Sequence, residues 1–313
     1  MTAKRATADP ATPVRSGSPQ AWAVATRPRS LLVAISPVLV GATLGFERTG
    51  AVDLLAALLV LAAALLMQVI SNMQNDVGYT VRGGDSSGTR TGLPRATTHG
   101  WLSVRDVRAA IVAAALLAVG IGLALVAYRG WPVLAIGTAS LLTALAYMGG
   151  PRPIAYTPFG ELTVFVFFGL VAVTGTDWVL TGSVGPVSML ASVALGSLAA
   201  AALAANNHRD IAHDRLVGRR TFAVSFGAGA SRALYATLLL GPFLLVPIIA
   251  LTAQAFMLLL PLLLLPAALR LRHDFVRCPP GTAYNEVLFR TFRLELWFAA
   301  LLSAGALLAR TLG

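Results

Sequence analysis

An apolar run at 52–74 passes directly into Asn72-Met73-Gln74-Asn75-Asp76-Val77-Gly78-Tyr79-Thr80-Val81-Arg82-Gly83-Gly84-Asp85. Crossing a bilayer takes about 20 mainly apolar residues, so the run is long enough to be a membrane helix. The polar residues that follow belong at the membrane edge, because ionisable groups are costly in hydrocarbon. The same junction recurs where the apolar run 186–206 meets Asn206-Asn207-His208-Arg209-Asp210-Ile211-Ala212-His213-Asp214-Arg215.

Seven further apolar runs, at 29–46, 106–127, 131–149, 160–178, 231–252, 254–271 and 293–311, complete the pattern. Of the 313 residues 57% are hydrophobic and only 12% charged, more apolar surface than a soluble domain can cover. The mean hydropathy of +0.75 agrees. The expected class is therefore an all-α polytopic membrane protein with nine transmembrane helices, since backbone polar groups in lipid must be satisfied within the segment and these segments are too long for barrel strands. Residues 1–26, rich in Ala, Thr, Pro and Arg, read as a disordered N-terminal tail, and 27–313 as the membrane domain.

The net charge of +11 does not indicate nucleic acid. Only Arg48, Arg129 and Arg310 fall on one side of the nine-span arrangement; every other basic residue falls on the opposite side. Positive charge concentrates in cytoplasmic loops, so the N-terminus is expected inside, with the protein in the cell (inner) membrane. The two polar clusters, four spans apart, then share the cytoplasmic face. Cys278 is the single cysteine and can form no internal disulfide, and the four histidines show no zinc-ligand spacing.

The clusters carry the chemistry. Asn72 and Asp76 are four residues apart, on one face of a helix, and Asp210 and Asp214 repeat that spacing with two carboxylates. Carboxylates so placed repel unless a cation lies between them. Magnesium suits: a hard ion, it takes one or two carboxylates and completes its shell with water and phosphate oxygens. Arg82, Arg90, Arg95, Arg209, Arg215 and Arg219 stand beside these acids, and guanidinium groups bind phosphate through paired hydrogen bonds. The stretch Gly88 to Gly100, turn-rich and basic, reads either as a lid over bound phosphate or as a plain surface loop. A magnesium-bound diphosphate at a membrane edge implies a lipid tail. A cation-coupled transporter is the competing class, but its acids belong near mid-span rather than at one edge.

The clusters, the stretch Leu145 to Glu161 running on to Gly175, and Tyr284-Asn285-Glu286 with Thr291 and Leu294 together resemble the UbiA superfamily of intramembrane prenyltransferases. Within it the resemblance is nearest to the branch acting on 1,4-dihydroxy-2-naphthoate in menaquinone biosynthesis. It implies helices around a central cavity, magnesium at Asn72, Asp76, Asp85, Asp210 and Asp214, and diphosphate contacts from Asn72, Asn75, Arg82, Arg90, Arg95, Asn207, Arg209 and Arg215. Asp76, Asp210, Asp214, Tyr147 and Arg152 are the catalytic candidates on the same grounds. The implied partners are a polyprenyl diphosphate, an aromatic acceptor and the bilayer. The chain departs from the family pattern at Tyr79, where an Asp is usual, which leaves 4-hydroxybenzoate, homogentisate or a tetrapyrrole open as alternative acceptors.

Overall fold

The computed structural model describes residues 14–84, 92–279 and 281–312. Among them the chain forms helices α1 (Pro19–Thr26), α2 (Leu32–Thr49), α3 (Leu54–Val81), α4 (Val104–Arg129) and α5 (Trp131–Ala146) in its first half. The second half holds α6 (Gly160–Thr181), α7 (Pro186–Arg209), α8 (Ile211–Leu216), α9 (Phe222–Thr252), α10 (Phe256–Arg277) and α11 (Tyr284–Leu312). Eight helical segments among the described residues are long and apolar enough to cross a bilayer, and α5 is a shorter apolar helix of 16 residues. Their outward faces carry exposed side chains such as Leu116, Leu123, Leu244 and Leu251, which suits lipid rather than water.

Local chemistry sets the helix ends. Asp53 accepts a hydrogen bond from the Ala56 amide at 2.9 Å to cap α3, and Ser103 does the same for Asp106 of α4 at 3.0 Å. Gly50 and Gly182 close α2 and α6 in left-handed conformations open to glycine. Pro37, Pro242 and Pro247 lie inside helices, where packed neighbours compensate for the lost backbone bonds.

Two departures from the sequence expectation matter for the site. Residues 19–26 are not a disordered tail: Ser18 caps α1, Pro19 opens it, and Ala21 and Ala25 are buried with Ile70, Met73 and Val107. Composition alone hides this because the helix is short and its packing partners lie 45 or more residues away. The helices also outrun their apolar stretches. Helix α3 continues past its apolar stretch to Val81, and the polar segments at 207–230 and 272–292 are largely helix. Asn75, Asp76 and Tyr79 therefore stand on the last turns of one rigid helix.

Packing divides into two bodies with a cavity between them. One core joins α7, α9, α10 and α11 around Leu195, Tyr235, Phe275 and Phe298; another joins α1, α3 and α4 around Ile70 and Val107. Small residues permit the closest approach, with Gly169 of α6 against Gly196 of α7 so tight that a Cβ on either would overlap the other backbone. Helices α2 and α11 run parallel. Arg29 lies over the Phe289 ring and Thr43 is bonded to Ser303 at 3.0 Å, each pair 260 positions apart.

Gly196→Ala should therefore force the two helices apart at a cost of about 1–3 kcal/mol. A thermal melt of the detergent-solubilised protein checks this; an unchanged midpoint contradicts the backbone contact.

Candidate functional site

Helices α2 to α7 and α11 surround a cavity of about 850 Å3. Its walls are apolar over most of their length, from Val60, Ala63 and Ala64 of α3 to Leu123, Leu134, Phe167, Phe168 and Ala199. One end is polar, with Gln68, Ser71, Asn72, Asn75, Tyr147, Asn206 and Arg209 in its wall. Arg27 and Arg29 join them from the turn between α1 and α2. Among the described residues the charged lining consists of these three arginines, with no Asp or Glu.

The carboxylates sit behind that wall, each held by an internal donor. Asp76 is fully buried and accepts from the Ala96 and Thr97 amides, both at 2.9 Å, and from the Thr97 hydroxyl. Its helix thereby fastens the start of the segment 95–101 over the motif. Residues 95–97 of the expected lid are thus bound down in this state. Asp210 is paired with Arg209 through both oxygens, at 2.8 and 2.5 Å. Arg209 also donates to Asn206 at 2.8 Å and to Asn285 of α11 at 2.6 Å, so it is aimed by three partners.

Asp214 is fully buried and paired with Arg219 at 2.6 Å. Burial pushes its carboxyl above the usual range, while the Arg219 guanidinium pulls the other way. Arg219 also donates to the Ala155 carbonyl at 3.0 Å and to the Tyr79 hydroxyl. The Tyr79 ring lies beneath Arg95, whose guanidinium carbon is 3.1 Å from its centroid. The Tyr79 hydroxyl ties the first cluster to Asp214 of the second through Arg219, and its ring holds Arg95 of the segment that follows.

The structure thus brings Asn72, Asn75, Tyr147 and Arg209 to the cavity, and Asp76, Arg95, Asn207, Asp210 and Asp214 into the layer behind it. Arg82 lies outside, donating to the Gly150 carbonyl beside Tyr156. Arg152 and Arg215 are exposed and do not line the cavity. Asp85 and Arg90 lie outside the described residues. Sequence reasoning missed the cavity positions of Arg27 and Arg29, reading them as orientation signals, and missed Glu161, which accepts from Asn207 at 2.9 Å. The one available signal was the clustering of Arg27, Arg29 and Ser30 immediately before a span.

Among the described residues no three acidic, histidine or cysteine side chains gather into a metal cage. Oxygen donors do remain: Asn75 Oδ1 and Asp214 Oδ2 are buried without a hydrogen-bond partner. Oxygen donors of this kind are the type magnesium takes, few from protein and the rest from phosphate and water.

Fold and site together define a polytopic helical membrane protein with an apolar chamber that has a polar, arginine-bearing end. The chain belongs to the UbiA prenyltransferase family, whose pattern spans residues 34–297. It is 36% identical over 228 residues to the 1,4-dihydroxy-2-naphthoate octaprenyltransferase of Escherichia coli (strain K12), covering 71% of this chain and 73% of that one. It is 37% identical over 224 residues to the enzyme of the same name from Mycobacterium tuberculosis (strain ATCC 25618 / H37Rv), covering 70% and 74%. The fold is shared with a UbiA homolog from Archaeoglobus fulgidus solved bound to DMAPP and Mg2+, at a TM-score of 0.68 and 18% identity, over 91% of this chain and 98% of that one.

Asp76→Ala should release the segment it holds, since a buried charged acceptor of three hydrogen bonds is lost. Hydrogen exchange at Ala96 and Thr97 should accelerate by about tenfold or more, and unchanged protection there would rule out the anchoring role. Tyr79→Phe removes the hydroxyl bonded to Arg219 and should lower stability by about 1–3 kcal/mol, read from thermal unfolding beside the wild type.

Proposed function

We propose that this protein transfers a polyprenyl group from its diphosphate to 1,4-dihydroxy-2-naphthoate, at the cytoplasmic face of the cell (inner) membrane, giving a demethylmenaquinol, the reduced form of a demethylmenaquinone. The observation that carries the reading is the cavity itself: a long apolar chamber ending in Asn72, Asn75, Asn206 and Arg209 matches a molecule with an apolar tail and an anionic head. The naphthoate enzymes of similar sequence support the choice of acceptor.

In this reading Arg209, aimed by Asn206 and Asn285, receives the diphosphate. Asn72, Asn75, Asp76, Asp210 and Asp214 are the proposed holders of magnesium, with Asp85, which lies outside the described residues, as a further candidate from the sequence. When bound, magnesium supplies neutralisation of the charge that builds on the leaving diphosphate. The arginine adds to that stabilisation where the charge develops, favouring cleavage of the allylic carbon–oxygen bond. The apolar walls keep water from the electron-poor prenyl carbon. The acceptor ring bonds that carbon, and carbon dioxide departs, leaving its bonding electrons with the ring. Segment 95–101 is bonded to Asp76, so magnesium held there would exchange with the Ala96 and Thr97 donors.

The parallel run of α2 and α11 supports nine crossings, since first and last spans point the same way only when the count is odd, and α5 supplies the additional one. Cytoplasmic placement of the clusters rests on the distribution of arginines.

A membrane assay with magnesium, a long-chain prenyl diphosphate and three competing acceptors, read by mass spectrometry, tests the function. The expected product is prenylated naphthoquinol, lost on adding EDTA. An Asp76→Ala, Asp210→Ala double variant should lose activity by on the order of 100-fold or more. Full activity in that variant, or prenylation of 4-hydroxybenzoate or homogentisate alone, would sink the mechanism or the acceptor respectively.

A further inference from the structure

We propose that a cleft between the ends of α3 and α4, outside the central chamber, binds the headgroup of one anionic phospholipid, with Arg82 and Arg108 on its phosphate. The inference rests on the membrane placement proposed above and on none of the reaction steps.

The cleft is a cavity of about 390 Å3. Gln74, Gly78, Val81 and Arg82 at the end of α3 form one side, Arg108 near the start of α4 another, and the turn from Met148 to Gly150 after α5 the third. Close backbone contact fixes these walls. Gly78 meets the turn so tightly that a Cβ there would fall 2.8 Å from the Met148 carbonyl oxygen. Arg82 donates to the Gly150 carbonyl, and its guanidinium carbon lies 5.5 Å from the Tyr156 ring centre. Two contacts therefore aim this side chain, and of its five N–H donors one carbonyl occupies few.

The charge in the cleft is unbalanced. Arg108 and the Gln74 amide have no hydrogen-bond or ion-pair partner among the described residues, and no described acid lines the cavity. Asp106 is two residues from Arg108, a spacing that turns the two away from each other on a helix. Two guanidinium groups converging on one space repel until an anion lies between them. Basic pockets between membrane helices at the cytoplasmic side suit phospholipid headgroups.

The surface below the cleft favours a lipid over a soluble anion. Arg108, Val112, Leu116 and Val119 follow the spacing of one helix face, and all four are exposed. At about 1.5 Å per residue, Arg108 and Val119 stand about 16 Å apart along the axis, half of a hydrocarbon core about 30 Å thick. A phosphate held at the cleft thus leaves an acyl chain lying along this stripe for the depth of one leaflet. A soluble anion would use the arginines and leave the stripe untouched. A zwitterionic lipid would bring its own cation beside two others. A lipid bound here braces the end of α3, whose preceding turns carry Asp76 and Tyr79.

The test is lipid binding to the full chain in non-ionic detergent, read by native mass spectrometry. Micelles have no leaflets and no turnover is needed, so the naphthoate assay can fail without touching this result. The probes are phosphatidylglycerol, phosphatidylcholine with the same acyl chains, and inorganic phosphate. The wild type should hold one phosphatidylglycerol in preference to phosphatidylcholine by about tenfold or more, the scale of two basic residues beside an anionic headgroup. Arg82→Gln and Arg108→Gln should each cut that preference by about fivefold, and the double variant should bind the two lipids alike. Both side chains are exposed, so either single variant carries the test should the double variant fail to fold. Arg270→Gln, an exposed arginine on α10 away from the cleft, should leave the preference intact. No preference in the wild type, a preference that survives in the double variant, or an equal loss in Arg270→Gln overturns the site. Displacement of phosphatidylglycerol by inorganic phosphate at equal concentration overturns the lipid as its occupant.

Discussion

A charge withdrawn from water at the edge of a bilayer needs a partner of opposite sign or a set of hydrogen bonds, and that requirement shapes the polar end of this protein. Asp76, Asp210 and Asp214 are all buried, and each meets the requirement differently: backbone amides for Asp76, Arg209 for Asp210, Arg219 for Asp214. These bonds join parts of the chain far apart in sequence. Asp76 binds a residue 21 positions away, and Arg219 reaches Tyr79 across 140. The two halves of the molecule are tied together at the place where each leaves its apolar core.

The same pairs bear on function. Asp76 and Asp210 have both oxygens taken, so under the proposed function a magnesium-bound diphosphate would have to exchange with their present partners, whereas Asp214 keeps one oxygen open. Arg209 stands at the point of exchange, in the cavity wall and bonded to Asp210 behind it. Tyr79 alters the balance further. A carboxylate there would add a charge to the site, whereas the ring accepts Arg95 on its face and the hydroxyl accepts from Arg219.

The fold was largely legible because hydrophobicity in a membrane protein is written in blocks as long as the bilayer is thick. The apolar run at 52–74 falls in α3 but for its first two residues, that at 186–206 lies within α7, and the clusters that follow stand at the ends of those helices. What went unseen was continuation beyond the apolar stretch: α3 runs to Val81 and α1 precedes the first span, because capping and packing, unlike hydropathy, carry no block signal. Among the candidate residues, Asn72, Asn75, Tyr147 and Arg209 were named from motif chemistry and do reach the cavity, whereas Arg152 and Arg215, chosen on the same grounds, are exposed.

By itself the sequence determined that this chain is a bundle of membrane helices with two acid-and-amide clusters at its polar edges, since length, hydropathy and i, i+4 spacing are local properties. Only the tertiary structure decided which polar groups face the chamber and which serve as its scaffold. Asp76 and Arg27 show why. The first turned out to hold a segment 20 residues on, and the second, one arginine among many, was carried into the cavity by hydrogen bonds from Gln68 and Asn72 to its turn. Such assignments depend on which distant donors arrive in register, and no local pattern records that.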